Sequence, residues 1–232
     1  MDKKQKRFEQ HLFQASQEGN IETIKKLLKI GVKIESTTSG WTPLLIATQD
    51  NKLETVKFLL DQGANINHQN KGSTSLLIAS QEGYLEIVQE LISRKVKLDI
   101  CNYNGASPLL MACQEGYLEI VQELISHKAP LNEVERGESC LHLASMCNHP
   151  LIVRELIKSG IKVDLKDKGD TALILACQNN YIDVVKELLL GGVSLLEKNN
   201  KKNAYDSTKN KEIRTLLLTK HDFGGCFACK NN

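Results

Sequence analysis

The chain repeats itself with a period of 32 or 33 residues, and this feature limits its fold more than any other. Glycines occur at positions 40, 72, 105, 137 and 169, and alanines at 15, 47, 79, 112, 144 and 176 follow the same period. The thirteen residues QEGYLEIVQELIS occur identically at 81–93 and at 114–126. Self-similarity at a fixed period of this length indicates a repeat architecture, in which each unit packs on its neighbours.

Each unit predicts two short helices followed by a turn. In the second unit, Thr42 is a good N-cap residue and Pro43 suits the first helical position. Residues 53–60 carry apolar side chains at helical spacing, and Gly63 is placed to end that second helix in a left-handed conformation. The polar segment 65–71 fits a projecting turn. Neither helix can bury its apolar face alone, so we expect neighbouring units to stack.

Five segments share a pattern in which glycine is followed two residues later by Ser or Thr, and then by leucine and alanine. They are GWTPLLIA at 40–47, GSTSLLIA at 72–79, GASPLLMA at 105–112, GESCLHLA at 137–144 and GDTALILA at 169–176. This pattern resembles the signature of ankyrin repeats. The resemblance implies an all-α fold, an ankyrin-repeat solenoid of stacked helix-turn-helix units with projecting β-hairpin-like turns.

The resemblance covers about seven repeats over residues 8–218, with the first and last repeats acting as caps whose outer faces meet water. Residues 1–7 are then a charged N-terminal extension, and residues 219–232 a flexible tail that contains two cysteines.

The repeats depart from the family pattern in ways that have a physical cost. Most units are 32 residues long, and the missing residue lies in the projecting turn; only the turn at 100–104 has full length. Lys95 and Lys128 replace the helix-ending glycine, which costs about 1 kcal/mol each if the positive φ is kept. In the last unit the segment 203–206 is degenerate, and the following helix is expected about three residues early.

No set of residues in the sequence predicts catalysis. The dinucleotide, P-loop, zinc-protease and nucleophile-elbow motifs are all absent. His142 holds the family's histidine position, which implies a local structural bond, and His149 is expected at an interface between repeats. Cys113 and Cys177 follow the repeated alanine and are expected to fill tight space between first helices. We therefore expect no enzyme activity, no cofactor and no metal.

The Cys226-x-x-Cys229 pair in the tail leaves several interpretations open. It could bind zinc, form a redox pair or accept a lipid, although a closed zinc site lacks ligands and no thioredoxin-like context is present. Acylation would tether the chain to a membrane, and we keep it as an alternative to a plain disordered tail.

Composition excludes several classes of protein. The formal net charge is +2, no apolar run approaches the length of a membrane span, and the first residues lack the apolar stretch of a secretory signal. Seven cysteines, an odd number, fit reduced thiols better than a disulfide framework. We expect a monomer in the cytoplasm, the nucleus or a host-cell cytosol, with no nucleic-acid partner.

The function implied by the resemblance is binding of a protein partner, of unknown identity, through the concave groove formed by the turns and first helices. The chain would act as an adaptor, scaffold or inhibitor. With 25 lysines against 5 arginines and 17 asparagines the composition suggests an AT-rich genome, so a host-targeting effector is a further alternative. We expect partner contacts at Trp41, Gln49, Asp50, His68, Asn70, Gln81, Glu82, Tyr103, Asn104, Gln114, Glu115, Glu135, Arg136, Glu138, Met146, Lys166, Asp170 and Gln178.

Overall fold

The computed structural model describes residues 3–132, 139–167, 169–199 and 202–227. Within these residues the chain forms thirteen α-helices and one two-stranded sheet. The all-α prediction is confirmed. The chain divides into two compact units, one up to Ala112 and one from Cys113 onward.

The first unit consists of successive helix pairs. Its helices are α1 (Lys3–Glu18), α2 (Ile21–Lys29), α3 (Pro43–Gln49), α4 (Leu53–Asp61), α5 (Ser75–Glu82), α6 (Leu85–Ser93) and the greater part of α7 (Pro108–Glu115). Helix α3 packs against both α1 and α5, and each of these three helices packs on the helix that follows it in the chain. The first helices therefore form one layer, backed by the second helices.

The local sequence explains why each first helix begins where it does. The Thr42 side chain accepts a hydrogen bond from the backbone N–H of Leu45 at 3.2 Å, and Thr74 caps α5 in the same way through Leu77. Pro43 occupies the first turn of α3, where its missing N–H costs nothing. The predicted caps are confirmed.

Two turns of the first unit are tight two-residue hairpins. Ser39 and Gly40 have φ of 53° and 85°, and Lys71 and Gly72 have φ of 49° and 83°. Positive φ at both central residues is typical of the type I′ turn, whose twist matches that of the paired strands. A side chain before each of these two turns also bonds to backbone 30 residues on: Glu35 Oε1 accepts from Asn65 N at 2.8 Å, and Asn67 Oδ1 accepts from Lys97 N at 3.0 Å. These bonds fix the spacing between consecutive turns.

The second unit repeats the same construction. It contains α8 (Leu118–Ser126), α9 (Cys140–Met146), α10 (Pro150–Lys158), β1 (Lys166–Asp167), β2 (Asp170–Thr171), α11 (Ala172–Gln178), α12 (Ile182–Leu190) and α13 (Lys211–Phe227). Helices α9 and α11 pack together in one layer, and α8, α10, α12 and α13 pack in sequence in the other. Strands β1 and β2 pair antiparallel, with Lys166 opposite Thr171.

Lys95 and Lys128 have the left-handed conformation that glycine adopts after the other second helices, so the cost stated for a kept positive φ applies to both. Their φ values are 60° and 65°. A non-glycine residue in this region places its Cβ close to the following carbonyl oxygen. Each lysine therefore stores strain that the packing of its repeat outweighs.

The ends of the chain differ from the boundaries expected from sequence. Helix α1 begins at Lys3, so the described part of the 1–7 extension is continuous with the first repeat. Helix α13 begins at Lys211, three residues before a strict 32-residue period from Ile182, and its backbone continues to Phe227. The boundary between the repeat domain and the tail at 218 therefore falls inside a helix.

Candidate functional site

Consecutive turns of the first unit lie in direct contact. A Cβ added to Gly72 would lie 2.6 Å from the backbone nitrogen of Tyr103, which no side chain could tolerate without a shift of the backbone. Asn70 lies over Gly40, and His68 Nε2 lies 3.4 Å from the Gly40 carbonyl oxygen. His68 and Asn70 are both half-buried, so part of each side chain holds one turn against the next rather than facing a partner.

The tips of these turns present two aromatic residues in different environments. Trp41 is half-buried, and its backbone pairs with that of Thr38 through two 3.0 Å hydrogen bonds. The Tyr103 side chain is 72% exposed, and no other Phe, Trp or Tyr side chain among those that the structure describes is exposed. Asn104 is also exposed, and its N–H donates to Asn102 Oδ1 at 2.9 Å, which shapes the longer turn. Tyr103 is therefore the more accessible anchor.

The first helices have a buried body and an accessible end. In α5, residues 75–80 are all buried, whereas Gln81 and Glu82 are exposed. In α3 the equivalent Gln49 and Asp50 are half-buried. The Gln49 carbonyl accepts a hydrogen bond from Tyr84 Oη at 3.3 Å, which ties the end of α3 to the following repeat. The side chains at these helix ends are left free of the core.

The second unit shows the same pattern. Residues 140–145 of α9 are buried, and Met146, which follows them, is 43% exposed. Gln178 is exposed at the end of α11. At the end of α7, Glu115 is exposed and accepts a hydrogen bond from the half-buried Gln114 at 2.9 Å.

The turn residues expected to bind a partner in the second unit are engaged with the next turn. Lys166 Nζ lies 2.6 Å from Glu197 Oε2, and Asp170 Oδ1 accepts from Asn199 Nδ2 at 2.6 Å. Three further expected contacts, Glu135, Arg136 and Glu138, lie outside the described residues.

The two histidines singled out by sequence have structural partners. His142 is buried, with Nδ1 2.7 Å from Ser139 Oγ and Nε2 3.2 Å from the Asp170 carbonyl oxygen. His149 Nε2 lies 3.0 Å from the Gln114 carbonyl oxygen, and its ring covers Gly116, where a Cβ would lie 2.5 Å from Cε1. The bond of His142 to Ser139 is the local bond that the sequence predicts, and its bond to Asp170 also reaches the next repeat; His149 lies at an interface between repeats, as expected.

The buried cysteines are poor nucleophiles. Burial raises the pKa of the Cys177 thiol to about 12, and burial together with a hydrogen bond to Cys140 raises the pKa of Cys113 well above its ordinary value. A nucleophilic or metal-binding cysteine needs a lowered pKa. These thiols fill space between first helices, which confirms the expected packing role.

The described part of the chain contains no cluster of three or more His, Cys, Asp or Glu side chains arranged to hold a metal ion. Over the same residues, no helix has both the length and the apolar character needed to cross a membrane. Cys229 and the side chain of Cys226 lie outside the described part of the structure, and the backbone of Cys226 is in the last turn of α13.

Exposed leucines on the second unit are the main feature that sequence analysis missed. Leu190, Leu196 and Leu218 are 78%, 76% and 52% exposed, so the last two repeats present apolar side chains to solvent. A cleft of about 240 Å³ next to Leu196 and Leu218 is lined by mainly apolar side chains.

Alignment of the repeats marks Leu190 and Leu196 as unusual positions. Leu190 aligns with Asp61, Ser93, Ser126 and Lys158 of the earlier units, and every one of these residues is polar. Leu196 likewise aligns with Glu35, Asn67, Asp99, Asn132 and Asp164.

Capped helix pairs, stacked first helices and hairpin turns in contact define the ankyrin class of repeat protein. The family described as "Ankyrin repeats (3 copies)" matches residues 12–102, 76–167 and 109–201, which overlap and together span most of the chain. The chain therefore belongs to the ankyrin-repeat family.

Among solved structures, the human ASB11 ankyrin repeat domain is similar, with 25% identity and a TM-score of 0.80. The similarity covers 90% of this chain and 96% of that one. No curated protein matches the chain.

Proposed function

We propose that this protein is a non-enzymatic binding module that holds a protein partner with the ends of its first helices and the tips of its turns. The observation that carries the proposal is the repeated division of each first helix into a buried body and an accessible end. Packing fixes the buried positions, so the accessible positions are available to specify a partner.

Tyr103 is the residue to which we assign the largest share of the binding energy. Its ring is 72% exposed on a turn whose backbone is held by contact with Gly72 and by the bonds of Asn102. A rigidly presented aromatic side chain loses little conformational entropy on binding, and such residues dominate protein interfaces. Gln81 and Glu82 add polar contacts from the neighbouring helix end.

An adaptor, scaffold or inhibitor role follows from such a surface. Cys113, Cys140, Cys147 and Cys177 are free thiols, which supports a reducing compartment such as the cytoplasm. The charges are balanced over the whole chain, which supports a protein partner rather than a nucleic acid.

A capture experiment tests the proposal. The tagged protein and a variant with Tyr103→Ala and Gln81→Ala are used to isolate partners from the native cell, followed by quantitative mass spectrometry. We expect the variant to recover at least about tenfold less of a specific partner, because truncation of an aromatic hot spot costs about 2 kcal/mol or more of binding free energy. A matched control with Gln89→Ala and Ser93→Ala, exposed on α6, should capture the same partner normally.

Equal capture by both variants would show that the partner uses another surface. Suppose instead that Tyr103→Ala still captures the partner, whereas Cys226→Ser with Cys229→Ser loses it and moves the protein from membrane to soluble fractions. That result would favour membrane tethering through acylated cysteines.

A further inference from the structure

The second-helix layer of the second unit carries two adjacent clefts with a shared apolar wall. One cleft, of about 350 Å³, lies between α12 and α13 and is lined by Lys186, Leu189, Leu190, Leu216, Thr219 and Lys220. The other, of about 280 Å³, lies between α10 and α12 and is lined by Arg154, Ile157, Lys158, Glu187, Leu190 and Gly191. Leu190 lines both and is 78% exposed, so it forms the ridge between them. We call these the outer clefts.

The outer clefts lie away from the surface assigned above. Helices α10, α12 and α13 pack on one another as the second-helix layer, whereas Met146 and Gln178 belong to α9 and α11 of the first-helix layer. Nothing in the repeat architecture requires an apolar residue at position 190, because every earlier unit has a polar residue there. An exposed leucine between two clefts is therefore a feature of this repeat alone.

The charges around the outer clefts favour an acidic partner. Four lining side chains are cationic, Arg154, Lys158, Lys186 and Lys220, against a single carboxylate, Glu187. Glu187 is already bound by the Arg154 guanidinium, with Nη2 and Oε1 2.6 Å apart. Lys186 lies 3.4 Å from Asp183 and 3.8 Å from Glu212, so these two carboxylates offset its charge, and Lys158 and Lys220 carry the remaining positive charge of the clefts. Lys158 and Lys220 are exposed, one in each cleft.

The spacing of the outer clefts fits an α-helix. Neighbouring packed helices are about 8–10 Å apart, so the two clefts are separated by about one such step. Residues i and i+7 of a helix lie on the same face about 10.5 Å apart along its axis. A helix laid across α10, α12 and α13 can therefore place one apolar side chain in each cleft, with Leu190 packed between them.

We propose that the outer clefts dock an acidic amphipathic helix of a partner protein, with apolar residues at i and i+7 in the clefts and Asp or Glu beside Lys158 and Lys220. A second copy of this chain fits less well, because a symmetric contact through this surface would place cations opposite cations. A bilayer fits less well because clefts receive inserted side chains, whereas lipid contact needs apolar groups that project from a convex surface.

A peptide selection tests this proposal without knowledge of the natural partner. A displayed library of helical peptides, about 16 residues long so that each spans both clefts, is selected on the full chain and depleted on Leu190→Asp. We expect enrichment of apolar residues seven positions apart with flanking Asp or Glu. The selected peptide should bind Leu190→Asp at least about tenfold more weakly.

Two further variants distinguish binding at the outer clefts from nonspecific binding. Leu196→Asp changes a leucine of nearly equal exposure, 76%, next to a different cleft, and should leave the affinity within about twofold of the full chain. The double variant Lys158→Glu/Lys220→Glu should bind the acidic peptide at least about tenfold more weakly than the full chain does. It should prefer a version of the peptide with Lys in place of the acidic residues. Both lysines are exposed, so this variant folds even if Leu190→Asp does not.

Several results would overturn the proposal. They are an absence of Leu190-dependent enrichment, enriched peptides without acidic residues, or equal losses with Leu196→Asp. Self-association in sedimentation that Leu190→Asp abolishes would identify a second copy as the occupant. Binding to phosphatidylserine vesicles that Leu190→Asp abolishes, in the absence of peptide binding, would identify a lipid surface.

Discussion

The contact between consecutive turns can be tested by adding a single methyl group to a glycine. Gly72 and Gly63 have almost the same backbone, with φ of 83° and 85°. A Cβ on Gly72 would lie 2.6 Å from Tyr103 N and 2.9 Å from Asn102 Cα, whereas a Cβ on Gly63 would meet nothing within 4 Å. The substitutions Gly72→Ala and Gly63→Ala therefore share every effect except the collision with the next turn.

The difference between the two variants isolates that collision. The strain of alanine at positive φ costs each variant about 1–2 kcal/mol, and the smaller entropy of the unfolded alanine chain returns about 0.4–1 kcal/mol to each. Both quantities cancel in the comparison. Forcing a methyl group against backbone that must then move costs about 1–3 kcal/mol, so Gly72→Ala should be less stable than Gly63→Ala by that amount.

Urea denaturation measures this difference directly. The chain contains a single tryptophan, Trp41, which lies in the same unit as both glycines, so its fluorescence reports the unfolding of that unit. Gly31→Ala provides a second control, because its Cβ would also meet nothing within 4 Å. If Gly72→Ala is no less stable than the two controls, the turns do not touch and the contact that positions Tyr103 is wrong.

Three other substitutions or modifications have outcomes fixed by the structure. Lys95→Gly relieves the strain at φ of 60° and should raise the free energy of unfolding by about 0.5 kcal/mol; a decrease in urea denaturation would contradict the assigned conformation. The Arg154 guanidinium lowers the pKa of the Glu187 carboxyl in the folded state, so the ion pair stabilises the folded chain. This stabilisation is fully present above the ordinary pKa of 4.5, and it is lost as the pH falls through the lower pKa of the folded state. In Glu187→Gln, the free energy of unfolding measured between pH 7 and pH 3 should lack this pH-dependent decrease. An unchanged pH dependence would show that the Arg154–Glu187 pair does not contribute to stability. At pH 8 the Cys177 thiol, with a pKa of about 12, should react with iodoacetamide at least about 100-fold more slowly than the half-exposed Cys101, as followed by peptide mass spectrometry; equal rates would contradict its burial.

The sequence predicted the parts of the fold that depend on local chemistry. Thr42 and Pro43 specify a helix start through their own backbone and side-chain geometry, so the cap could be predicted without a neighbour. Alignment with glycines in the other repeats marked Lys95 and Lys128 as positions where a left-handed conformation would cost energy. The period also indicated the layer to which each helix belongs.

The roles of several turn residues could not be predicted in the same way. His68 and Asn70 lie at a turn, where exposure is the usual expectation, yet each packs on Gly40 about 30 residues earlier in the chain. That contact depends on how closely one turn follows the next, which is a property of the stack. Leu190 differs for another reason: a repeat pattern identifies residues that the units share, whereas Leu190 departs from the polar residues at all equivalent positions.

The central claim, that the turn tips and first-helix ends hold a partner, is tested most directly by site-specific photo-crosslinking in the native cell. A photoreactive phenylalanine analogue replaces Tyr103 or Gln81 on the assigned surface, and Glu54 or Gln89 on the second helices of the same unit, where all four side chains are exposed. We expect the same partner to be crosslinked from positions 103 and 81 and from neither 54 nor 89. Crosslinking of that partner from positions 54 and 89, with none from 103 and 81, would contradict the account.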